Sequence, residues 1–223
     1  TFLGVPTRAL TLRDDDVVPI DPNRKRLAFK SVTTTSPPAE RIVPPAPGSP
    51  GDPTLFSSGG SSVTVYNSNP APGSPTDEVT LPLGYSGWFR LGSSSVFRGW
   101  QYDGPPGAPI KRVVVKADQI TVKGGKGQWT YTLDEPSQGR VAVRLSLGQS
   151  GHWCADAPAK LSGVPPSTAR NDHVDKFTSA KDVPAPGICP PLKSTGSPSG
   201  AFLDAAASVA DDAHVSGDRG GEG

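Results

Sequence analysis

The chain has 223 residues, 34% of them hydrophobic, and a formal net charge of +1 from 22 basic and 21 acidic residues. A balance so near zero gives no support to nucleic-acid binding or to an anionic membrane surface, and no apolar run approaches the ~20 residues that span a bilayer. Glycine and proline, 26 each, exclude long helices and favour many short elements joined by turns.

Residues 1–9 read as an inbound linker. The chain begins at Thr1, has no Met and shows no signal-peptide apolar region, so we expect a processed product or, preferably, an excised part of a longer chain. From Ala9 to Val32 the pattern is weakly strand-like, and Leu27 and Phe29 alternate with Arg26, Ala28 and Lys30. Residues 33–60 form a long Pro/Ser/Gly loop that cannot hold a regular ladder.

From Ser61 onward the strand signal sharpens. Val63 and Val65 alternate with polar neighbours, and Val79, Leu81 and Leu83 do so after a turn. Residues 86–91, 96–102, 110–116 and 118–123 are short β-branched or aromatic runs. GGKG at 124–127 predicts a hairpin loop, followed by a strand with Trp129, Tyr131 and Leu133 on one face. Val141, Val143, Leu145 and Leu147 then alternate strictly with small or polar residues, the cleanest strand signal in the chain. HWC at 152–154 closes the series.

This pattern predicts an all-β fold, an antiparallel β-sandwich or jelly roll, over residues 10–158 with long Pro/Gly-rich loops. Residues 159–223 read as a low-complexity, disordered tail with one short helix candidate at 201–214. Cys154 and Cys189 are the only cysteines, and an even pair flanking a Pro-rich stretch reads as one disulfide. Such a loop closure stabilises by about 3–4 kcal/mol in the chain-entropy model. A disulfide also favours an oxidising location: extracellular, cell-surface or periplasmic.

Four stretches carry a resemblance: RKRLAFKS at 24–31, GDPT to GGSSVTVYN at 51–67, SGWFRLG to QITVKG at 86–124, and YTLDEPSQGRVAVRLSLGQSGHWCA at 131–155. Together they resemble a poorly characterised β-rich domain of bacterial extracellular and surface proteins, often part of multi-domain chains. The resemblance implies a β-sandwich-like fold and no particular activity or catalytic residues. Relatives of this kind often carry a Cys near the GAPIKRV hairpin and another near VKG; this sequence has neither.

The motifs that could carry chemistry are sparse. Ser150 and His152 in GQSGHW do not form the G-x-S-x-G elbow, and no helix follows. His152, His173 and His214 lack metal-ligand spacing. Asp14, Asp15, Asp16 and Asp21 lack the alternating order of a calcium loop. GGKG with Lys123 and Lys126 lacks the phosphate-loop pattern. Arg24, Lys25 and Arg26 read as a solvent face or protected strand edge. Asp134 and Glu135 are adjacent in a turn and cannot straddle a glycosidic bond. The sequence therefore implies no enzyme, no metal and no cofactor.

The aromatic cluster is the remaining candidate. Trp100 with Tyr102, and Trp129 with Tyr131, share strand faces. So thin an aliphatic content needs these rings in the core, yet one outward pair would stack on sugar rings. The expectation is a non-catalytic structural or adhesive module of a larger secreted or surface protein. The alternative is a carbohydrate-binding accessory module with polysaccharide as partner, and a small secreted hydrolase ranks last. No nucleic acid and no membrane span are implied, and nothing argues for a particular oligomeric state.

Overall fold

The computed structural model describes residues 1–14, 25–125 and 129–193. Thirteen strands follow one another: β1 (Leu3–Gly4), β2 (Ala9–Arg13), β3 (Arg26–Val32), β4 (Ser61–Asn67), β5 (Glu78–Leu83), β6 (Trp88–Gly92), β7 (Phe97–Asp103), β8 (Ile110–Lys116), β9 (Gln119–Gly125), β10 (Arg140–Leu147), β11 (Gly151–Pro158), β12 (Asp172–His173) and β13 (Lys176–Thr178). They form two sheets. One has five strands in the order β1-β11-β10-β4-β5, the other eight in the order β12-β13-β2-β3-β9-β8-β7-β6. All pairings are antiparallel except β1 with β11. The fold is all-β, as the alternation predicts.

The same alternation sets the core. In the smaller sheet, Val63, Val65, Val79, Leu81, Val141, Val143, Leu145 and Trp153 are buried; in the larger, Leu10, Leu12, Leu27, Phe29, Trp100, Tyr102, Val113, Val115, Ile120 and Val122 are. They belong to one apolar cluster. Because side chains alternate at a period of two, each strand turns its polar set away from this cluster. Residues 33–60 contain no strand, in keeping with their prolines.

Three boundaries differ from expectation. Residues 1–9 are not a linker: Leu3 and Gly4 pair with Trp153 and Cys154, and Val5 is buried. Residues 159–193 are not a loose tail. Lys176–Thr178 pairs with Thr11–Arg13, and Phe177 is fully buried. These strands have two or three residues and one apolar position each, too few for periodicity to register. Residues 129–133 form no strand, although Trp129, Tyr131 and Leu133 are all buried. Their backbone is met otherwise: Leu133 N–H donates to Asp14 Oδ2 at 3.0 Å, and Asp175 N–H to the Leu133 carbonyl at 3.0 Å. The helix candidate at 201–214 and the end of the chain lie outside the described residues.

The segment before Lys193 is a strap over the outer face of the five-stranded sheet. Thr7 and Val183 exchange backbone hydrogen bonds. A Cβ on Gly4 would stand 2.0 Å from the Pro186 carbonyl oxygen, so only glycine admits the strap there. Cys189 bonds to Cys154, with Cα atoms 6.0 Å apart. The Pro190 carbonyl accepts from Tyr66 Oη at 2.7 Å and from Arg144, and Arg144 lies over the Phe2 and Tyr66 rings. Lys193 Nζ reaches the Pro75 carbonyl at 2.9 Å.

Burial shows in the phenols. Tyr131 donates to Gln138 Oε1 at 3.0 Å, and desolvation pushes its pKa well above the ordinary value. In an absorbance titration Tyr131 is expected to ionise only together with unfolding. A folded phenol pKa above the unfolded one means that stability is lost as pH rises past the unfolded value, near 10. Ionisation of Tyr131 in the native state would contradict this placement.

Candidate functional site

The outer face of the eight-stranded sheet carries the most distinctive chemistry. Residues that alternate with the buried ones point there: Thr11 and Arg13 on β2; Arg26, Ala28, Lys30 and Val32 on β3; Gln119, Thr121 and Lys123 on β9; Arg112, Val114 and Lys116 on β8. Register brings them into rows. Lys176, Arg13 and Arg26 stand side by side on three adjacent strands. In the next row Lys123 faces Arg112, and Arg112 faces Asp103. Lys30 lies opposite Thr121, and Lys116 opposite Gln119.

Seven cations thus share this face (Arg13, Arg26, Lys30, Arg112, Lys116, Lys123 and Lys176). Among the described residues, Asp103 forms an ion pair with one of them, Arg112. It accepts from Arg112 Nε at 2.6 Å and from Gln101 Nε2 at 2.7 Å. The Arg112 hydrogen bond first, then that of Gln101, hold its carboxyl below the ordinary aspartate value. Lys176 Nζ donates to the Arg170 carbonyl at 3.2 Å. Arg13, Arg26, Lys30, Lys116 and Lys123 make no ion pair among the described residues. At 4.7–4.9 Å between strands and about 3.3 Å per residue along them, the face extends about 20 Å in each direction.

Like charges directly opposite each other in a sheet are destabilising, so Arg13 beside Arg26 and Lys123 beside Arg112 do not serve the fold. Edge protection does not account for them either, because β2, β3, β9 and β8 are interior strands. Arg26, expected on a solvent face or an edge, is on the solvent face. Lys25 turns to Asp14, with an ion pair of 2.9 Å; Arg24 lies outside the described residues.

At one end the face runs into a groove of about 690 Å³ between the 34–40 loop and the 182–185 segment. Lys30, Val32, Thr35, Glu40 and Pro184 line it, together with the paired Arg8 and Asp182. Lys30 and Val32 belong to both groove and sheet face.

The aromatic candidates lie elsewhere. Trp100, Tyr102, Trp129 and Tyr131 are 2%, 4%, 7% and 2% exposed, so none offers a ring face to solvent. Trp100 Nε1 donates to the Pro45 carbonyl at 2.8 Å, and Tyr102 packs on Trp88. An exposed aromatic pair does exist, Phe56 with Tyr85, but the rings meet edge to face at 82° and form no flat platform.

The other sequence candidates separate in space or take structural roles. No hydrogen bond joins Ser150 to His152, whose ring packs on Phe2. His173 Nδ1 bonds the Val174 carbonyl at 2.6 Å. Glu135 accepts from Gln138 Nε2 at 2.9 Å. Asp14 is buried against Lys25 and Leu133 N–H; Asp15, Asp16, Asp21, Lys126 and His214 lie outside the described residues. Among the described residues no group of three or more His, Cys, Asp or Glu could hold a metal, and no helix is long and apolar enough to cross a membrane. No family model, curated protein or solved structure matches the chain.

Proposed function

We propose that this domain is a non-catalytic adhesive module of a larger secreted or surface protein, and that the basic sheet face binds an acidic polysaccharide. The observation that carries the reading is the row of Lys176, Arg13 and Arg26, continued by Lys30, Lys116, Lys123 and Arg112. Opposed cations raise the energy of the free face, and an anionic polymer relieves it; among the described residues Arg112, paired with Asp103, has a carboxylate partner and the others make no ion pair. Thr11, Thr121 and Gln119, interleaved with the cations, offer hydroxyl and amide groups for sugar hydroxyls. The Cys154–Cys189 disulfide favours an oxidising compartment, where carboxylated or sulfated glycans are the abundant polyanions. Stacking rings for single-stranded nucleic acid are missing from the rows of cations.

Retention on immobilised polygalacturonate and dextran sulfate tests this, with cellulose and duplex DNA in parallel. Wild-type protein is expected to bind both acidic polymers at low salt and to elute as salt screens the charges. Lys30→Glu with Lys123→Glu is expected to weaken binding roughly thirtyfold, at about 1 kcal/mol for each reversal, with an unchanged melting temperature. Equal retention of the variant, retention on cellulose, or a stronger hold on DNA would each defeat the proposal.

A further inference from the structure

At Lys193 the strap meets a second cluster, which stands independently of the basic face. Asn67, the last residue of β4, is fully buried. Its Nδ2 donates to the Gln138 carbonyl at 2.8 Å and to Gln138 Oε1 at 2.9 Å, so the side-chain amide cannot turn over. Its Oδ1 accepts from Asn69 N–H at 3.0 Å and from Lys193 Nζ at 3.2 Å. The Asn69 N–H, which remains when Nζ leaves the oxygen, polarises the carbonyl toward attack at its carbon. Asp77 stands across the β4–β5 ladder from Asn67, whose N–H donates to the Asp77 carbonyl at 2.8 Å. Cross-strand neighbours direct their side chains to the same face. Asp77 Oδ1 accepts from Thr132 at 3.2 Å, while Oδ2 is buried without a hydrogen-bond partner among the described residues.

We infer that Lys193 and Asn67 condense into an intramolecular amide bond, with Asp77 as the proton carrier. An amine, a buried primary amide and an adjacent carboxyl group are the three components such a condensation needs. Asp77, whose field reaches Lys193, closes the remaining distance to Nζ, and its Oδ2 takes a proton from the ammonium. The free Nζ, which starts 3.2 Å from the amide oxygen, moves to Cγ and forms the new C–N bond. Asn69 N–H stays on the developing oxyanion. The Cγ–Nδ2 bond then breaks; the leaving nitrogen takes one proton from the attacking amine and one from Asp77, and departs as ammonium. One lysine ammonium is consumed and one ammonium ion released, with no oxidant or reductant.

Burial lowers the Lys193 pKa toward the amine form, against the opposing field of Asp77. The Pro75 carbonyl, accepting at 2.9 Å, positions Nζ. The bond would tie the strap at Lys193 to β4 across 126 positions of sequence, beyond the point where the disulfide holds it. Pull on the chain following Lys193 would then be transmitted to β4, an interior strand of the smaller sheet.

Mass spectrometry of the full chain decides the matter. The wild type is expected to be lighter than its sequence by one ammonia, beyond the two hydrogens of the disulfide, and its tryptic digest to contain one branched peptide holding both Asn67 and Lys193. Lys193→Arg keeps a cation against Asn67 but supplies no amine nucleophile, and should restore the mass while the protein stays folded. Asp77→Asn should leave most of the chain unlinked. A wild-type mass without the ammonia loss overturns the inference. So does an ammonia loss that persists in Lys193→Arg, which would mark cyclisation of Asn67 onto its own backbone.

Discussion

Replacing both cysteines, Cys154→Ser with Cys189→Ser, is expected to lower unfolding stability by about 4 kcal/mol. The bridge closes a separation of 35 residues, and a loop of that length loses this much unfolded-state entropy in the chain-entropy account. The double replacement leaves no odd thiol behind. In the folded state its effect should be local, because the strap rather than the sandwich depends on the bond. Beyond it, the strap is held chiefly by the Pro190 carbonyl, with Tyr66 and Arg144 as donors, and by Lys193. Tyr66 supplies a second readout. Desolvation raises its phenol pKa, partly countered by Arg144. With the strap loosened, water reaches the phenol and its pKa should fall toward the ordinary value. Urea unfolding with an unchanged midpoint, together with an unmoved Tyr66 titration, would mean that the bond contributes nothing to holding the strap.

The basic face was hidden from composition by where the acids go. Asp14, Asp52, Asp156 and Asp172 are all buried and serve as internal acceptors. Asp172 takes Ser137 Oγ, Gln138 N–H and Gly139 N–H, which shapes the turn before β10. Asp52 takes Gly48 N–H and Thr54. Asp156 takes Ser68 and Arg140. A net charge of +1 therefore describes the whole chain and not this face: Asp14 and Asp156 are taken up by Lys25 and Arg140, and Arg13, Arg26, Lys30, Lys116 and Lys123 make no ion pair among the described residues. Alternation alone places Lys30 opposite in direction to Phe29, and Lys123 to Val122. The rows of cations need the pairing of β13 with β2, β2 with β3 and β9 with β8, which no single strand encodes.

What was legible follows the same division. Val141–Leu147 reads as a strand because four apolar residues alternate over a long run, and it lies inside the smaller sheet. The disulfide was legible because two cysteines admit one intrachain pairing. Phe177 and Leu3 were not, since each anchors a strand of two or three residues whose partners are distant in sequence. The Lys193–Asn67 contact was out of reach for the same reason. Nothing near Asn67 in the chain signals a lysine 126 positions away, and it depends on the strap following the sheet that its cysteine selects.

The aromatic cluster provides the sharpest test of core against surface. Trp100→Ala is expected to destabilise by about 3–5 kcal/mol, the usual cost of deleting a buried large aromatic side chain. Trp100 is 2% exposed, packs against Phe97 with ring centroids 5.3 Å apart, and lies between Arg90 on β6 and Val115 on β8 in the ladder. Its removal leaves a cavity and also withdraws the Nε1 donor from the Pro45 carbonyl. Trp100→Phe separates the two effects. A phenyl ring fills most of the space but cannot donate, so the loss should be smaller, about 1–3 kcal/mol for a carbonyl left unsatisfied plus the lost ring volume. The Pro45 bond also anchors the 33–60 loop to β7, so both variants should expose that loop to proteolysis before the sheets unfold. A surface sugar platform predicts the reverse: Trp100→Ala would keep the wild-type unfolding midpoint and lose polysaccharide binding. Denaturant titration and affinity retention on one preparation discriminate between them, because a core residue moves the midpoint first.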